Sequence, residues 1–310
     1  MPCVARLLLF SPASGRLPPP GKAKRYMAMM KGTSMESMTE DKPWSLAIFS
    51  LGSFRVFCKG KPLRFPGRVH RKPLAMLKVI VDNGGRNVPV GPVMDALWPE
   101  TDGDRAHKSF ATTLHRLRKL IGATKAIRHH ETKVSLDDNY CWVDVWELET
   151  LLEGAETEWE KAREIARGGG GPAKAVELTE RVIGMFKGPM IPGETADPWE
   201  TPFLKGLRGR FVRSVGHLGR HREHIGQWDK AITCYQRGLE ADEFSEDLFY
   251  CLMICYQRND RVAEALAAYG RFREVLHATF GIEPSSRLKT LARDLRRSRL
   301  PAPPRRQSPV

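Results

Sequence analysis

The sequence lacks the features of membrane-spanning and secreted proteins. Its 310 residues contain no apolar run that approaches the roughly 20 residues needed to cross a bilayer, and 28% of its side chains are charged. The apolar stretch at 7–10 is too short for a signal-peptide core of about 7 to 15 residues. Six cysteines are too few for a disulfide scaffold and are expected to be reduced thiols. These absences predict a cytoplasmic protein that does not bind a membrane.

Catalytic motifs are also missing. A phosphate-binding loop needs two glycines separated by four residues and followed by Lys and then Ser or Thr. The nearest match, at 15–21, has five residues between its glycines and leads to Lys22 and Ala23. Neither a Gly-x-Ser-x-Gly nor a Cys-x-x-Cys pattern occurs in the sequence. We therefore predict that the protein is not an enzyme and needs no cofactor.

Two groups of potential metal ligands occur in the second half of the chain. His217, His221 and His224 lie among arginines, which repel a cation, so we expect them at a surface or an interface. Cys251 and Cys255 are one helical turn apart in an apolar segment and are expected to be core thiols. No metal site is predicted.

Positive charge is distributed unevenly along the chain. The net charge is +14, and residues 44–143 alone carry +9, from 17 basic and 8 acidic side chains. Residues 144–295 carry −4, from 21 basic and 25 acidic side chains. The first half of the folded chain is therefore the part that favours an anionic partner.

The two ends of the chain have little apolar periodicity. Residues 1–43 are expected to be a disordered N-terminal extension, and 300–310 a flexible basic tail. Five methionines between 27 and 38 leave a later translation start open as an alternative.

Residues 44–143 have the pattern of a small DNA-binding domain. Short β-branched and aromatic runs at 44–66 predict an antiparallel sheet. Two helices are predicted to open at Pro73 and Pro92, and a longer basic helix follows them. Directly after the basic helix, strands that form a hairpin are predicted at 126–130, 133–136 and 140–143. This order of elements predicts a winged helix-turn-helix, in which the hairpin is the wing.

The basic helix, 104–122, has two faces of different chemistry. We expect Asp104 to cap it and Gly122 to end it. The face predicted to be buried comprises Ala106, Phe110, Thr113, Leu114, Leu117, Leu120 and Ile121. The opposite face comprises Arg105, Lys108, Ser109, Thr112, His115, Arg116 and Lys119, with Arg118 at its flank. A solvated helix usually interleaves acidic and basic side chains, whereas a helix in the major groove combines cations with short polar groups.

Residues 144–299 predict an all-helical domain. A long acidic helix is predicted at 144–167, and a second helix extends to about Met185. Further helices are predicted at 203–226 and 285–299.

A repeat of 34 residues occurs between these last two helices. Ala231 and Tyr235 recur as Ala265 and Tyr269, at the tetratricopeptide period. About three helical hairpins are therefore expected to stack into a short solenoid, whose concave surface suits proteins or peptides.

Over residues 44 to about 300 the chain resembles bacterial transcriptional activators of the antibiotic-regulatory-protein-like class. The stretches that carry the resemblance are LGSFRVFCKGKPL, MDALWP, LHRLRKLIG, YCWVDVWELETLL and FKGPMIPGE. The class joins an OmpR/PhoB-type winged helix to a helical bacterial transcriptional activator domain. The resemblance thus implies an α+β winged helix-turn-helix followed by an all-α tetratricopeptide-like helical domain.

The resemblance also implies particular roles. Residues 108–119 would be the recognition helix, and the turn at 98–104 would contact RNA polymerase. The helical domain would serve self-association or receive a signal. One segment departs from the usual pattern: where relatives have a Ser or Thr cap followed by charged residues, this chain has VPVGP at 88–92. We therefore expect the helix that precedes the basic helix to start late, at Pro92, and to lose a phosphate contact.

Together these features predict a sequence-specific regulator of transcription that binds double-stranded DNA, with activation favoured. The predicted base readers are Lys108, Ser109, Thr112, His115 and Arg116. The predicted phosphate contacts are Arg105, Arg118, Lys119 and, in the wing, Lys133, with His129 and His130 beside it.

Since one winged helix reads few base pairs, a homodimer on repeated half-sites is expected. Two alternatives stay open. The protein could be a tetratricopeptide-like adaptor that binds other proteins, or a piece of a larger multidomain regulator without its sensor.

Overall fold

The computed structural model describes residues 44–64, 71–165, 172–186 and 201–298. Within them the chain forms a winged helix-turn-helix followed by an all-helical domain, which confirms the predicted fold class. The predictions for the two chain ends and for the Gly- and Pro-rich loops near 170 and 190 lie outside the described residues.

The elements of the winged helix-turn-helix are β1 (Leu46–Phe49), β2 (Arg55–Cys58), β3 (Lys61–Pro62), α1 (Arg71–Asp82), β4 (Val88–Pro89), α2 (Val90–Leu97), α3 (Gly103–Ile121), a 3₁₀ turn (Thr124–Ala126), β5 (Ile127–His130), β6 (Lys133–Leu136) and β7 (Cys141–Val143). The helical domain comprises α4 (Asp144–Ile165), α5 (Ala173–Met185), α6 (Pro202–His224), α7 (Trp228–Ala241), α8 (Glu246–Arg258), α9 (Val262–Phe280) and α10 (Ser286–Ser298).

The first sheet has the strand order β3-β2-β1-β7. β1 and β2 are antiparallel as predicted, but β7 pairs with β1 in parallel, with Leu46 opposite Cys141. The prediction that 140–143 belongs to the wing is therefore wrong. The physical reason is a long-range partner: β7 pairs along the edge of β1, and this pairing buries Cys141 and Val143 in the core beside Leu46.

The wing is a three-stranded sheet in the order β4-β6-β5. The hairpin of β5 and β6 is confirmed, and the short strand β4 adds to it, with Val88 opposite Val134. Because β4 runs directly into α2, this helix begins at Val90, where the backbone N–H donates to Thr132 O over 2.8 Å. The expected late start at Pro92 is wrong, since the strand pairing fixes the chain up to Pro89.

Helix α3 has the two faces that its sequence predicts. Six of the seven residues predicted to be buried are buried, and Leu120 is partly exposed. Gly122 ends the helix in a left-handed conformation with a φ of 67°. Asp104 is not the N-cap: Asp102, two residues earlier, occupies the cap position, and the helix begins at Gly103. Asp104 lies in the first turn, where its negative charge interacts favourably with the helix dipole.

The helical domain confirms the 34-residue repeat. Ala231 and Ala265 are fully buried, and Tyr235 fills the space between α6 and α7 so closely that a Cβ on Gly219 would lie 2.4 Å from its ring. The turns before the two repeated helices both contain a left-handed residue, Gly226 with a φ of 72° and Asp260 with a φ of 55°. The period thus reflects two equivalent helix–turn–helix joints.

The winged helix and the helical domain share one hydrophobic core, which extends from Leu46 to Val215 and beyond. No linker separates them, because α4 starts at Asp144 directly after β7. The buried Asp144 carboxylate accepts hydrogen bonds from Ser50 N (2.7 Å), Ser50 Oγ (2.8 Å) and Leu51 N (2.8 Å). The first helix of the helical domain is therefore fixed to the N-terminal sheet at its first residue.

Candidate nucleic-acid interface

The polar face of α3 is accessible over its whole length. Ser109 and Arg118 are half-buried, whereas the other predicted residues of this face are exposed: Arg105, Lys108, Thr112, His115, Arg116 and Lys119. Within the described part of the chain, none of these side chains forms an ion pair. By contrast, Arg181, Arg210 and Arg222 in the helical domain each pair with a glutamate. The cations of α3 are thus left available for an external anion.

Two polar side chains on this face differ in what they can offer a ligand. The Thr112 hydroxyl donates to Lys108 O over 2.9 Å, so its proton is used within the helix while its oxygen can still accept. Arg116 has no partner among the described residues, and its guanidinium can present two parallel N–H donors to a base edge. The face therefore combines donors and an acceptor in addition to its charge.

Arg118 lies at the flank of α3 and faces the wing. Its Nε and Nη2 donate to Ile127 O over 3.1 and 2.9 Å, which ties the last turn of α3 to the first residue of β5. The sequence predicts a phosphate contact here, and that contact stays a prediction. The structure adds that Arg118 holds the helix and the wing together.

The tip of the wing carries the predicted basic residues. His130 pairs with Lys133 across the tight turn, in which Glu131 has a left-handed φ of 51°. Lys133 is exposed and forms no ion pair with another described residue. The ring of His129 packs against Phe110 of α3, with 5.3 Å between the ring centroids. Lys133 is therefore the freer group at the tip, since His130 Nδ1 lies 4.0 Å from a carboxylate oxygen of Glu131. His129 also joins the wing to α3.

The turn at 98–104 is anchored at its start. Lys72 Nζ donates to Leu97 O over 2.5 Å and lies 5.6 Å from the centre of the Trp98 ring. Glu100 and Asp102 beyond this anchor are exposed. The turn thus offers acidic side chains beside the basic helix.

The residues considered as metal ligands belong to the core or pack on it. His217 and His221 lie with their rings 5.9 Å from the Trp159 ring, and burial together with nearby arginines lowers the pKa of His217. Cys255 is buried and Cys251 half-buried, and burial raises the pKa of both thiols. Among the residues that the structure describes, no group of three or more His, Cys, Asp or Glu side chains is placed to hold a metal ion.

A contact that sequence reasoning missed lies behind the interface. The Gly84-Gly85 pair, which follows α1, packs against Trp146 and Phe203 of the helical domain. The partners are 61 and more residues away in sequence, so helical periodicity could not reveal them. The two adjacent glycines were the available signal, since a side chain on Gly84 would crowd the Phe203 ring and one on Gly85 the Trp146 ring.

None of the described helices is long and apolar enough to cross a lipid bilayer.

The fold and the exposed basic helix define a winged helix-turn-helix protein with a helical second domain. Residues 143–296 match the family model of the bacterial transcriptional activator domain. The resemblance to bacterial transcriptional activators of the antibiotic-regulatory-protein-like class is thereby confirmed.

Curated relatives cover both domains. The chain is 28% identical over 261 residues to the regulatory protein AfsR of Streptomyces griseus, covering 80% of this chain but 24% of the relative. It is 25% identical to the transcriptional regulatory protein EmbR of Mycobacterium tuberculosis, covering 78% of this chain and 61% of the relative. It is also 25% identical to the regulatory protein DnrI of Streptomyces peucetius, covering 72% of this chain and 83% of the relative. The chain thus spans about a quarter of the length of AfsR.

A solved structure has the same fold. Mycobacterium tuberculosis EmbR, in complex with a low-affinity phosphopeptide, superposes with a TM-score of 0.58 at 22% identity, over 82% of this chain and 65% of that chain. At this identity the likeness supports the arrangement of winged helix and helical domain.

Proposed function

We propose that the protein binds double-stranded DNA in a sequence-specific manner and regulates transcription as an activator. The observation that carries the proposal is the exposed face of α3, on which cations and hydrogen-bonding side chains have no acidic partner among the described residues. Such a face is matched by the phosphates and base edges of a major groove. The names of AfsR, EmbR and DnrI as regulatory proteins support the same function.

The residues of the interface divide into two groups by reach and chemistry. Lys108, Ser109, Thr112, His115 and Arg116 are proposed to read base edges from the middle of the helix. Arg105, Arg118 and Lys119 of α3, with Lys133 of the wing, are proposed to contact phosphates. The first group sets which sequence is bound, and the second sets most of the affinity and its dependence on salt.

Selection of genomic fragments by the purified protein tests this proposal. We expect the wild type to enrich a repeated motif upstream of genes, and Arg116→Ala to lose about 1 to 3 kcal/mol of binding free energy together with preference at one base position. Arg273→Ala, which removes the same charge from an exposed site on α9, is the matched control and should retain the motif.

The result of this selection separates the alternatives. Retention of fragments without any common motif, by wild type and Arg116→Ala alike, would contradict sequence-specific recognition. A uniform loss over all duplexes in Arg116→Ala would instead make Arg116 a phosphate contact.

Two further parts of the proposal concern partners. We propose that two protomers occupy repeated half-sites, and sedimentation of the protein with a two-site duplex should give two protomers per DNA. One protomer per duplex at saturation would contradict it.

The turn at 98–104 is proposed to contact RNA polymerase through its exposed acidic residues. Glu100→Ala should then leave DNA affinity intact while lowering transcription from a promoter in a purified system. Unchanged transcription would exclude a role for Glu100 in that contact.

A further inference from the structure

The Gly84-Gly85 turn, which follows α1, is the place where the wing and the helical domain meet. Gly84 O accepts a hydrogen bond from Nε1 of Trp146 in α4 over 2.7 Å. Gly85 O, in the next peptide, accepts one from the backbone N–H of Leu136 in β6 over 2.7 Å. Two consecutive peptide groups thus join the helical domain on one side to the wing on the other.

The turn fits closely between its neighbours. Both glycines are buried and left-handed, with φ values of 88° and 71°. A Cβ on Gly84 would lie 3.1 Å from the ring of Phe203 in α6, and one on Gly85 would lie 3.2 Å from the Trp146 ring. The aromatic rings of the helical domain therefore leave little room for the turn to move.

Further contacts extend this joint on both sides. The Arg86 guanidinium lies 4.2 Å from the centre of the Trp146 ring, and Asn87 N donates to the hydroxyl of Ser135 in β6 over 2.8 Å. The Thr201 hydroxyl, at the start of α6, donates to Asp82 O at the end of α1. The base of the wing is thus bonded to a segment that the helical domain holds.

The wing is also tied to α3, through the two hydrogen bonds of Arg118 to Ile127 O. The distance between Lys133 at the wing tip and Arg116 on α3 therefore depends on both attachments. DNA binding requires such groups to be placed on a groove and its flanking phosphates at the same time.

We propose that Trp146 and Phe203 are positioning residues for DNA recognition, which hold the Gly84-Gly85 turn and, through it, the wing. Trp146 is buried and Phe203 half-buried, and neither belongs to the exposed face of α3 or to the wing tip. The inference rests on the proposed function, because it assigns the helical domain a part in how the wing meets DNA.

Trp159 supplies a matched control within α4. It is as buried as Trp146, at 7% exposure, and its Nε1 donates to the buried Thr179 Oγ1 over 3.0 Å. Trp146→Phe and Trp159→Phe thus each remove one indole donor from a buried acceptor in the same helix. The acceptor that Trp146→Phe leaves unpaired belongs to the Gly84-Gly85 turn, whereas the one that Trp159→Phe leaves unpaired belongs to the helical domain.

Amide hydrogen exchange of the free, full-length protein is the first measurement. Trp146→Phe should speed exchange of the Leu136 amide by about tenfold. The Leu136 N–H donates to Gly85 O, and this acceptor lies in the turn that the substitution loosens. Trp159→Phe should leave Leu136 unchanged. Equal exchange in wild type and Trp146→Phe would overturn the proposal. This measurement needs no DNA, so it reports on the turn even if the proposed function is wrong.

A double-mutant cycle with the selected duplex is the second measurement. Lys133→Ala should weaken binding by about fivefold in the wild type and by less than about twofold with Trp146→Phe, because the wing has already lost its position. Arg116→Ala should weaken binding equally in both backgrounds. Additive effects of Trp146→Phe and Lys133→Ala would overturn the positioning role.

Phe203→Leu is the second variant should Trp146→Phe fail to fold. It keeps the indole donor and loosens the turn from the side of α6, so it should give the same faster Leu136 exchange and the same coupling to Lys133. A wild type that prefers no duplex would refute the proposed function and this inference with it.

Discussion

Arg118 and Arg116 are two residues apart on α3, but their surroundings differ, and so does their contribution to folding stability. Arg118 is half-buried with two hydrogen bonds to Ile127 O, whereas Arg116 is exposed without a partner among the described residues. A hydrogen-bonded guanidinium adds to folding stability, and an exposed one adds little.

Arg118→Gln should therefore lower the free energy of unfolding by about 1 kcal/mol or more, because Ile127 O loses both donors. Arg116→Gln should change it by less than about 0.5 kcal/mol. Urea unfolding of the two variants measures the difference. Equal free energies of unfolding would mean that water replaces the Arg118 hydrogen bonds without loss of stability.

Asp82, at the end of α1, should make stability depend on pH. Burial raises the pKa of its carboxyl to about 7, against a weaker opposing effect of Lys78. In the unfolded chain this carboxyl ionises near pH 4, so between about pH 4 and 7 the unfolded state loses its proton while the folded state retains it. The Asp82 contribution to stability therefore falls as the pH rises through this window.

Asp82→Asn should remove that dependence. We expect the variant to gain stability relative to wild type on going from pH 5 to pH 8, by an amount on the order of 2 kcal/mol. Thermal unfolding of both proteins at the two pH values measures it. A wild type and variant that change in parallel with pH would contradict the burial of an ionisable Asp82.

At the scale of the element, α6 contains glycines in opposite surroundings. Gly206 is exposed, and a Cβ added there meets no atom within 4 Å. Gly219 lies against α7, and a Cβ added there would lie 2.4 Å from the Tyr235 ring. The same substitution in one helix therefore separates helix propensity from packing.

Gly206→Ala should raise the stability of the protein by about 0.5 to 1 kcal/mol, because alanine restricts the unfolded chain and favours helix. Gly219→Ala should lower it by about 1 to 3 kcal/mol, because α6 and α7 must move apart. Chemical unfolding compares the two. A neutral Gly219→Ala would show that Tyr235 can shift without loss of packing.

Sequence patterns predicted the elements of this chain well where each element carries its own signal. The two faces of α3 follow from a period of 3.6 residues, and the joints of the repeat follow from Ala231 and Ala265 at a spacing of 34. The start of α2 at Val90 and the pairing of β7 with β1 were missed. Both depend on a strand partner more than 40 residues away, which no local pattern contains.

At the scale of the whole molecule, the two domains are continuous in structure. Asp144 is bonded to Ser50 and Leu51, and Trp146 to Gly84, so that α4 completes the core of the winged helix. A boundary drawn after residue 143 would cut through these contacts.

A fragment of residues 44–143 should accordingly be less stable than 44–299. We expect its midpoint of thermal unfolding to be lower by at least about 10 °C, because it loses several buried hydrogen bonds and apolar contacts. A fragment of residues 44–165, which retains Asp144 and Trp146, should recover part of the difference. Circular dichroism of the three chains measures this. Equal midpoints would show that the winged helix folds independently of α4.

The sequence by itself determined the hairpin of β5 and β6, the basic face of α3, the 34-residue repeat and the resemblance to the transcriptional activator class. These depend on the spacing of residues close together in the chain, and each helix or hairpin carries its own pattern. The tertiary structure alone decided that Arg118 is bonded to the wing, that β7 joins the first sheet, and that Trp146 and Phe203 hold the Gly84-Gly85 turn. Such contacts depend on which distant surfaces fit together when the shared core forms, and that fit is a property of the packed chain.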